Sequence, residues 1–402
     1  MKIFLKRIVK SSRAIYCLYF YICSLLLKII GLFVKTDSYL VLFVVYGGKR
    51  YDDSPRFVYE YMKAQDEYKK YKLKWAFIDP QSISEVPIEE KIKIDTWAYY
   101  MTALKAHYWI TNSSASRGLC FKNANTVNIF FPHGMTGIKK QGNDLKQSNK
   151  SFRSVKQEKF DRIFLEGRKE IHILTQAWDI PKEVFVTTGF PRNDELVRVT
   201  SEDISQLKQK MNIPVGKKVI LYAPTFREYN KDSVLATFLK PPFDFDLWHR
   251  ELGNEYILLL TAHYEVEKLM DIPTNHPFII NAFGYPHINE LMLVADLLIS
   301  DYSSIIWDYS ILGRPIISYA YDFEQYQRER GVYNGYEKIF SHGIMKDQME
   351  IIRFIQMMDY EKECAYTQKH IRDEYIAAYG NAAERLLLRC THPISPMYTL
   401  WS

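Results

Sequence analysis

Short apolar runs recur along the chain, separated by polar stretches of helical length, and this alternation predicts parallel α/β sheets flanked by helices. The run YLVLFVVY at residues 39–46 is continuously apolar and is closed by Gly47 and Gly48, as expected of a strand covered on both faces. Runs at 73–79, 107–113, 126–131, 162–167 and 184–189 continue the series. A second series follows at 217–225, 255–263, 277–284, 296–302 and 314–322, its strands ending in polar residues. Residues 191–216 read as a polar connector carrying one helix, and the segment after about 347 reads as helical and able to pack back on the first unit. Ser54 and Pro55 fit an N-cap and a first helical position, for a helix running to Met62. The predicted fold class is α/β with two doubly wound Rossmann-like domains, whose strand carboxyl ends face a shared cleft where ligands bind.

The first 36 residues break this pattern. Residues 14–34, AIYCLYFYICSLLLKIIGLFV, are apolar apart from Ser24 and Lys28. About 20 apolar residues span a bilayer, so a signal peptide, a spanning anchor and an interfacial helix compete. No small-residue cleavage site follows, and Lys28 penalises a centred span. An interfacial or shallow anchor is the expectation, with a plain helix packed on the domain as the alternative. Charge supports it. The formal net charge is +6, yet residues 1–36 carry seven Lys or Arg and no acidic residue, leaving 46 basic against 47 acidic elsewhere. On an anionic leaflet each Lys or Arg contributes about 1 kcal/mol. A nucleic-acid binder carries its basic residues on the folded part, so nucleic acid is not an expected partner. The five cysteines form no CxxC pair and read as reduced thiols.

The candidate chemistry gathers at strand ends. In LLISDYSSIIWDYSILGRP a strand ends at Asp301, and Ser303 and Ser304 open a helix with Ile305, Ile306, Tyr309 and Leu312 on one face. Unpaired amides at such a helix start, with two hydroxyls, suit a phosphate; the plainer reading is that Ser303 caps the helix. Thr225 and Arg227 of YAPTFRE follow another strand end, and Arg presents a planar fork of donors for phosphate oxygens. His133 stands in FFPHGMTGIKK, held out by Pro132 and Gly134, and His263 ends EYILLLTAH in the second series. One histidine from each lip of a cleft suits acid-base work near neutral pH. Asp244 and Asp246 form a D-x-D away from any strand end, so no metal ligand set is assigned. GFPRND at 189–194 reads as a turn at the domain junction, with Arg192 structural and Asp194 capping the next helix.

Taken in order, GGKRYDDSPRFVYEYM, FPHGMTGIKK, TTGFPRND, ILYAPTFRE, LLTAH and ADLLISDYSSIIWDYSILGRPIISYAYDFEQY resemble the CDP-glycerol:poly(glycerophosphate) glycerophosphotransferase family of teichoic acid and capsule enzymes. The resemblance implies the glycosyltransferase B type of fold, monotopic membrane association at the cytoplasmic face, and attack of an acceptor hydroxyl on the donor's β-phosphate with CMP leaving. It implies His133 and His263 as the catalytic histidines, and Thr225, Arg227, Ser303 and Ser304 as donor-diphosphate contacts with Asp308 near the polyol. CDP-glycerol is then a substrate, no cofactor is tightly bound, dependence on a divalent cation is left open, and a lipid-linked polymer is the acceptor. Residues 37–200 become an acceptor-side domain, 201–346 a CDP-donor-binding domain and 347–402 a C-terminal helical segment, behind the membrane-associating residues 1–36. Where the family often has Trp before the His-Gly pair and Thr-Pro after it, this chain has Pro132, then Met135, Thr136 and Gly137. CDP-ribitol as donor, a sugar-nucleotide glycosyltransferase and a catalytically inert assembly factor remain the alternatives.

Overall fold

A computed structural model describes residues 13–145, 158–225, 244–261, 273 and 275–391. His263 and Arg227 lie outside the described residues. The first sheet holds β1 (Asp37–Val44), β2 (Lys72–Phe77), β3 (Lys91–Lys93), β4 (Ala106–Thr111), β5 (Val127–Phe130), β6 (Arg162–Leu165) and β7 (Phe185–Thr187) in the order β3-β2-β1-β4-β5-β6-β7. The second holds β8 (Lys218–Ala223), β9 (Tyr256–Leu260), β10 (Ile279–Asn281), β11 (Leu297–Ser300) and β12 (Ile316–Ser318) in the order β10-β9-β8-β11-β12. Every strand pair is parallel. In each sheet the order turns back once, between β1 and β4 and between β8 and β11, and these switch points leave a crevice at the strand carboxyl ends.

The continuous apolar runs form the central strands because both faces are covered. Val41, Leu42, Phe43, Val44 and Val45 are buried, as are Ile220, Leu221, Leu258, Leu259, Leu298 and Ile299. Burial of each such side chain contributes about 1.5–3 kcal/mol. Phe43, Trp75 and Phe77 stack in series across β1 and β2, with ring centroids 5.1 and 5.6 Å apart.

Three local expectations are corrected. The helix after β1 runs Asp53–Ala64 and is capped by Asp52, whose side chain accepts from the Asp53 amide; Ser54 lies inside the first turn and is buried. The helix after Ser304 is only six residues long, Ile305–Ser310, and is buried on every side rather than on one face, because it is wedged between the two halves of the molecule. Farther on, the helix Gln348–Met357 packs on the second sheet's core, while Ala382–Thr391 returns to the first sheet, where the Tyr108 hydroxyl donates to the Cys390 carbonyl at 3.1 Å. Asp194 caps this last helix instead of the next one, accepting from the amides of Ala382 and Ala383 at 2.8 and 3.2 Å. Thr200 caps the helix that follows Asp194.

The helix Arg13–Phe33 docks through Phe20, Ser24 and Leu27 on the core around Leu104 and Phe121, with the Ser24 hydroxyl accepting from the Cys120 amide at 2.9 Å. Its outward side exposes Leu18, Tyr21, Leu25, Leu26, Leu32 and Phe33. Among the described residues no helix is long and apolar enough to cross a membrane.

Candidate active site

The first sheet's switch point builds one wall. At the ends of β1 and β4 the Tyr46 amide donates to Asn112 Oδ1 at 2.8 Å and the Gly47 amide to Ser113 Oγ at 2.9 Å. β5, next in order, runs through Phe131 and Pro132 to His133. The imidazole stacks on the Tyr46 ring, centroids 4.9 Å apart and planes within 10°, and its side chain is 54% exposed. Beneath it His133 Nδ1 lies 3.7 Å from Oδ2 of Asp53, which is buried.

Asp53 opens a buried polar chain that sequence reasoning missed. Arg192 donates from Nη1 to Asp53 Oδ1 at 2.9 Å and from Nη2 to both oxygens of Asp308 at 3.1 and 3.0 Å. Asn193 Nδ2 donates to Asp308 Oδ1 at 2.6 Å and also to Glu166 at the end of β6. Burial alone would push the Asp53 carboxyl up, but the Arg192 guanidinium, the nearby His133 ring and a hydrogen bond from Asn112 outweigh it and hold the group well below the usual carboxylate range. Glu166 is pushed the other way, by burial and by the neighbouring Asp308 charge, with Arg192 only partly offsetting them. Glu170 is also raised, to about 7, by burial opposed by hydrogen bonds from the amides of Thr136, Gly167 and Glu166. Asp308 therefore sits behind the site, ion-paired with Arg192, rather than open toward a ligand.

The second sheet's switch point builds the facing wall. Asp301 Oδ1 accepts from the Thr225 amide at 2.8 Å and the Tyr302 amide at 2.6 Å, which ties the ends of β8 and β11 together, just ahead of Ser303 and Ser304 in the chain. Ser303 and Ser304 are partly exposed, as is Thr225, whose hydroxyl oxygen is buried. Ser303 Oγ accepts from the Ile305 amide at 3.4 Å, a weak cap, and Ser304 makes no side-chain cap. The two walls meet at Gly134, where a Cβ would stand 2.1 Å from Ser304 Oγ, so this close approach admits only glycine. A cavity of about 250 Å³ opens there, lined by His133, Thr136, Lys139, Gln141, Trp178 and Ser304. It is held from one side by main-chain pairing of the loop after His133 with residues 331–333: the Lys140 amide donates to Gly331 at 3.1 Å and the Tyr333 amide to Ile138 at 2.8 Å.

Thus His133 and Ser304 line one cavity, Ser303 adjoins Ser304 in the chain, the Thr225 amide is tied to Asp301, and Asp308 lies one layer deeper. The D-x-D has another role. Asp244 Oδ1 accepts from the Asp246 and Leu247 amides as a helix cap, and Asp246 faces His276 at 3.2 Å. Arg192 was read as structural, but Asp53 and the bridge between them were missed, because charged residues in short polar segments look like solvated surface. The one available signal was the Asp52-Asp53 pair, four residues past the Gly47-Gly48 strand end.

The chain matches the model of the family described as CDP-Glycerol:Poly(glycerophosphate) glycerophosphotransferase over residues 26–391. It is 33% identical over 308 residues to the teichoic acid poly(glycerol phosphate) polymerase of Staphylococcus epidermidis, covering 74% of this chain and 42% of that protein. It is 29% identical over 374 residues to the polymerase of the same name from Bacillus spizizenii, covering 89% of this chain and 91% of that one. The chain therefore spans less than half of the first relative and nearly all of the second. Among solved structures, the wall teichoic acid polymerase TagF superposes with a TM-score of 0.74 at 27% identity, covering 87% of this chain and 88% of that one.

Proposed function

The chain belongs to the CDP-glycerol:poly(glycerophosphate) glycerophosphotransferase family, and from that premise we propose that it transfers glycerol phosphate from CDP-glycerol to a hydroxyl of a membrane-held teichoic acid or capsular polymer, releasing CMP. The observation that carries this reading is the meeting of His133 and Ser304 across a cleft formed at both topological switch points. A nucleophile activated on one wall can there reach a phosphate bound on the other. The acceptor oxygen attacks the donor's β-phosphorus, the bond from that phosphorus to the bridging oxygen breaks, and the electron pair leaves with CMP. His133 takes the acceptor's proton. Thr225, Ser303 and Ser304, with Arg227 and His263, bind the diphosphate and stabilise the charge that accumulates on the leaving phosphate. Asp308 serves this donor site from behind, by fixing the short Ile305–Ser310 helix against Arg192. Residues 37–200 form the acceptor side and 201–346 the donor side of this scheme.

Incubation with CDP-glycerol, CDP-ribitol and UDP-sugars, with an acceptor polymer, tests it. Release of CMP from CDP-glycerol is expected to exceed that from CDP-ribitol by at least about tenfold, the size of one missing or added contact near 1.4 kcal/mol. Preferential UDP release would replace the reading with a sugar transferase, and no nucleotide release at all with an assembly factor.

Membrane attachment through the helix Arg13–Phe33 is part of the same proposal. The outward Leu, Tyr and Phe side chains supply apolar area for the headgroup boundary, and the basic residues of 1–36 suit an anionic cytoplasmic leaflet, in a peripheral arrangement. Co-sedimentation with phosphatidylglycerol vesicles is expected to weaken by about tenfold or more when residues 1–36 are deleted, as follows from loss of a few basic contacts. Equal binding by both forms would remove the helix from this role.

A further inference from the structure

We infer that Asp53 is a positioning residue for His133: its carboxylate holds a proton on Nδ1 of the ring, so that the opposite nitrogen faces the cleft as the proton acceptor. This role presupposes that His133 is the general base. Four observations on this one side chain support it.

The carboxylate is fully engaged and fixed. Oδ1 accepts from Arg192 Nη1 at 2.9 Å and from the Ser54 amide at 2.7 Å, and Oδ2 accepts from Asn112 Nδ2 at 2.8 Å and the Tyr46 hydroxyl at 3.3 Å. Tyr46, which grips Oδ2, also stacks on the imidazole, so the ring and the carboxylate share one holder. The backbone of Asp53 is strained: φ is +61°, the left-handed region, where a non-glycine residue costs about 1–2 kcal/mol. Capping does not require that strain, since Asp52 already caps the helix. What the left-handed turn does achieve is to bring the Asp53 carboxylate under His133 Nδ1, at 3.7 Å, while keeping it buried away from substrate. The gap is long for a hydrogen bond in the unliganded site and short enough to close as the imidazole gains its proton.

The charged and titratable groups around the ring are few. Asp53 lies below it, Tyr46 stacks on it, Arg50 lies over the Tyr46 ring at 5.8 Å, and Asp52 adds a second carboxylate near Tyr46. From the cavity come Lys139 on its own loop and Tyr302 on the facing wall. Asp53 is the only one of these within ion-pair distance of the ring among the described residues. A fixed acceptor there keeps the proton on Nδ1 and leaves the opposite nitrogen free to accept one.

Asp53→Asn tests the role. Asn tolerates the left-handed backbone, and Arg192 keeps Asp308, so no buried cation is left alone. Turnover is expected to fall by about 10²-fold with the KM for CDP-glycerol changed by less than about threefold, since proton transfer is lost and donor contacts are not. The His133 ring nitrogens in 15N-histidine-labelled protein, assigned by their absence in His133→Gln, should report the Nδ1-protonated tautomer in the native protein and lose that preference in Asp53→Asn. Asp53→Gly, which relieves the strain, should show the same change and serves if the Asn variant folds poorly. A variant pair with normal turnover, or with lowered turnover but an unchanged His133 tautomer, overturns the positioning role. Full activity in His133→Gln overturns the underlying reading of His133 instead.

Discussion

Arg192→Met is expected to lower the unfolding midpoint by on the order of 10 °C and to abolish most turnover, although Arg192 touches no substrate in the proposed scheme. Its guanidinium is the sole cation joining two buried carboxylates among the described residues, Asp53 at the start of the helix after β1 and Asp308 on the helix between the walls. Methionine fills a similar volume but leaves both charges unpaired, and breaking a buried ion pair from one side costs about 3–5 kcal/mol. Against a typical total stability of about 5–15 kcal/mol that is a large fraction. The pH dependence has a definite sign. In the native protein the lowered Asp53 carboxyl contributes stability that is present above its unfolded value, near 4, and is lost as pH falls through the folded value. Without Arg192, burial dominates and raises that carboxyl, so the variant gains relative to the native protein as pH falls and Asp53 protonates. The deficit should therefore be largest near neutral pH and shrink toward pH 4. Thermal unfolding followed at several pH values measures it. A midpoint within a degree or two of the native protein at pH 7 would show that the bridge does not hold the halves together.

The same residues explain which parts of the protein were readable in advance. The eleven strands anticipated from apolar runs are all present, because in a parallel sheet covered on both sides the central strands must be apolar throughout and their ends are marked by Gly, Pro or polar residues. β3, the twelfth, escaped notice. It is only Lys91–Lys93 at a sheet edge, half-exposed and with Lys at both ends, so no hydrophobic pattern marks it. His133 was visible because Pro132 and Gly134 announce a turn at a strand end. The chain Asp53, Arg192, Asp308, Asn193 was not. Arg192 was read as structural and Asp308 as near the polyol, but their link was not read, because its members lie up to 139 residues from Arg192 and come together only when folding closes the cleft. The Ser303 and Ser304 helix was misjudged for a related reason. A one-sided apolar face presumes solvent on the other side, whereas Ile305–Ser310 meets protein on all sides, with Trp307 stacked on Tyr375 at 4.5 Å.

His133→Ala is expected to reduce turnover by about 10²–10⁴-fold, the range for loss of a positioned general base, while donor binding stays within about threefold, since the proposed phosphate contacts are on the other wall. The residual rate should be well above that of the uncatalysed reaction, because binding and the second wall's charge stabilisation persist. A loss of this size could also follow from a collapsed cleft, and the geometry offers a way to tell the two apart. The missing ring leaves its space at the mouth of a cavity of about 250 Å³ that the exposed side of His133 already borders. Imidazole is small enough to enter and can stack on Tyr46 above the Asp53 carboxylate, which remain where they were. Added imidazole should therefore restore turnover of His133→Ala in a saturable way, and more at pH values where it is neutral and able to accept a proton. Rescue should vanish when Asp53 is also replaced by Asn, since the added ring then has nothing to orient it. Unimpaired turnover in His133→Ala would end the assignment of His133 as the base, and impaired turnover without rescue at any imidazole concentration would shift the cause to the shape of the cleft.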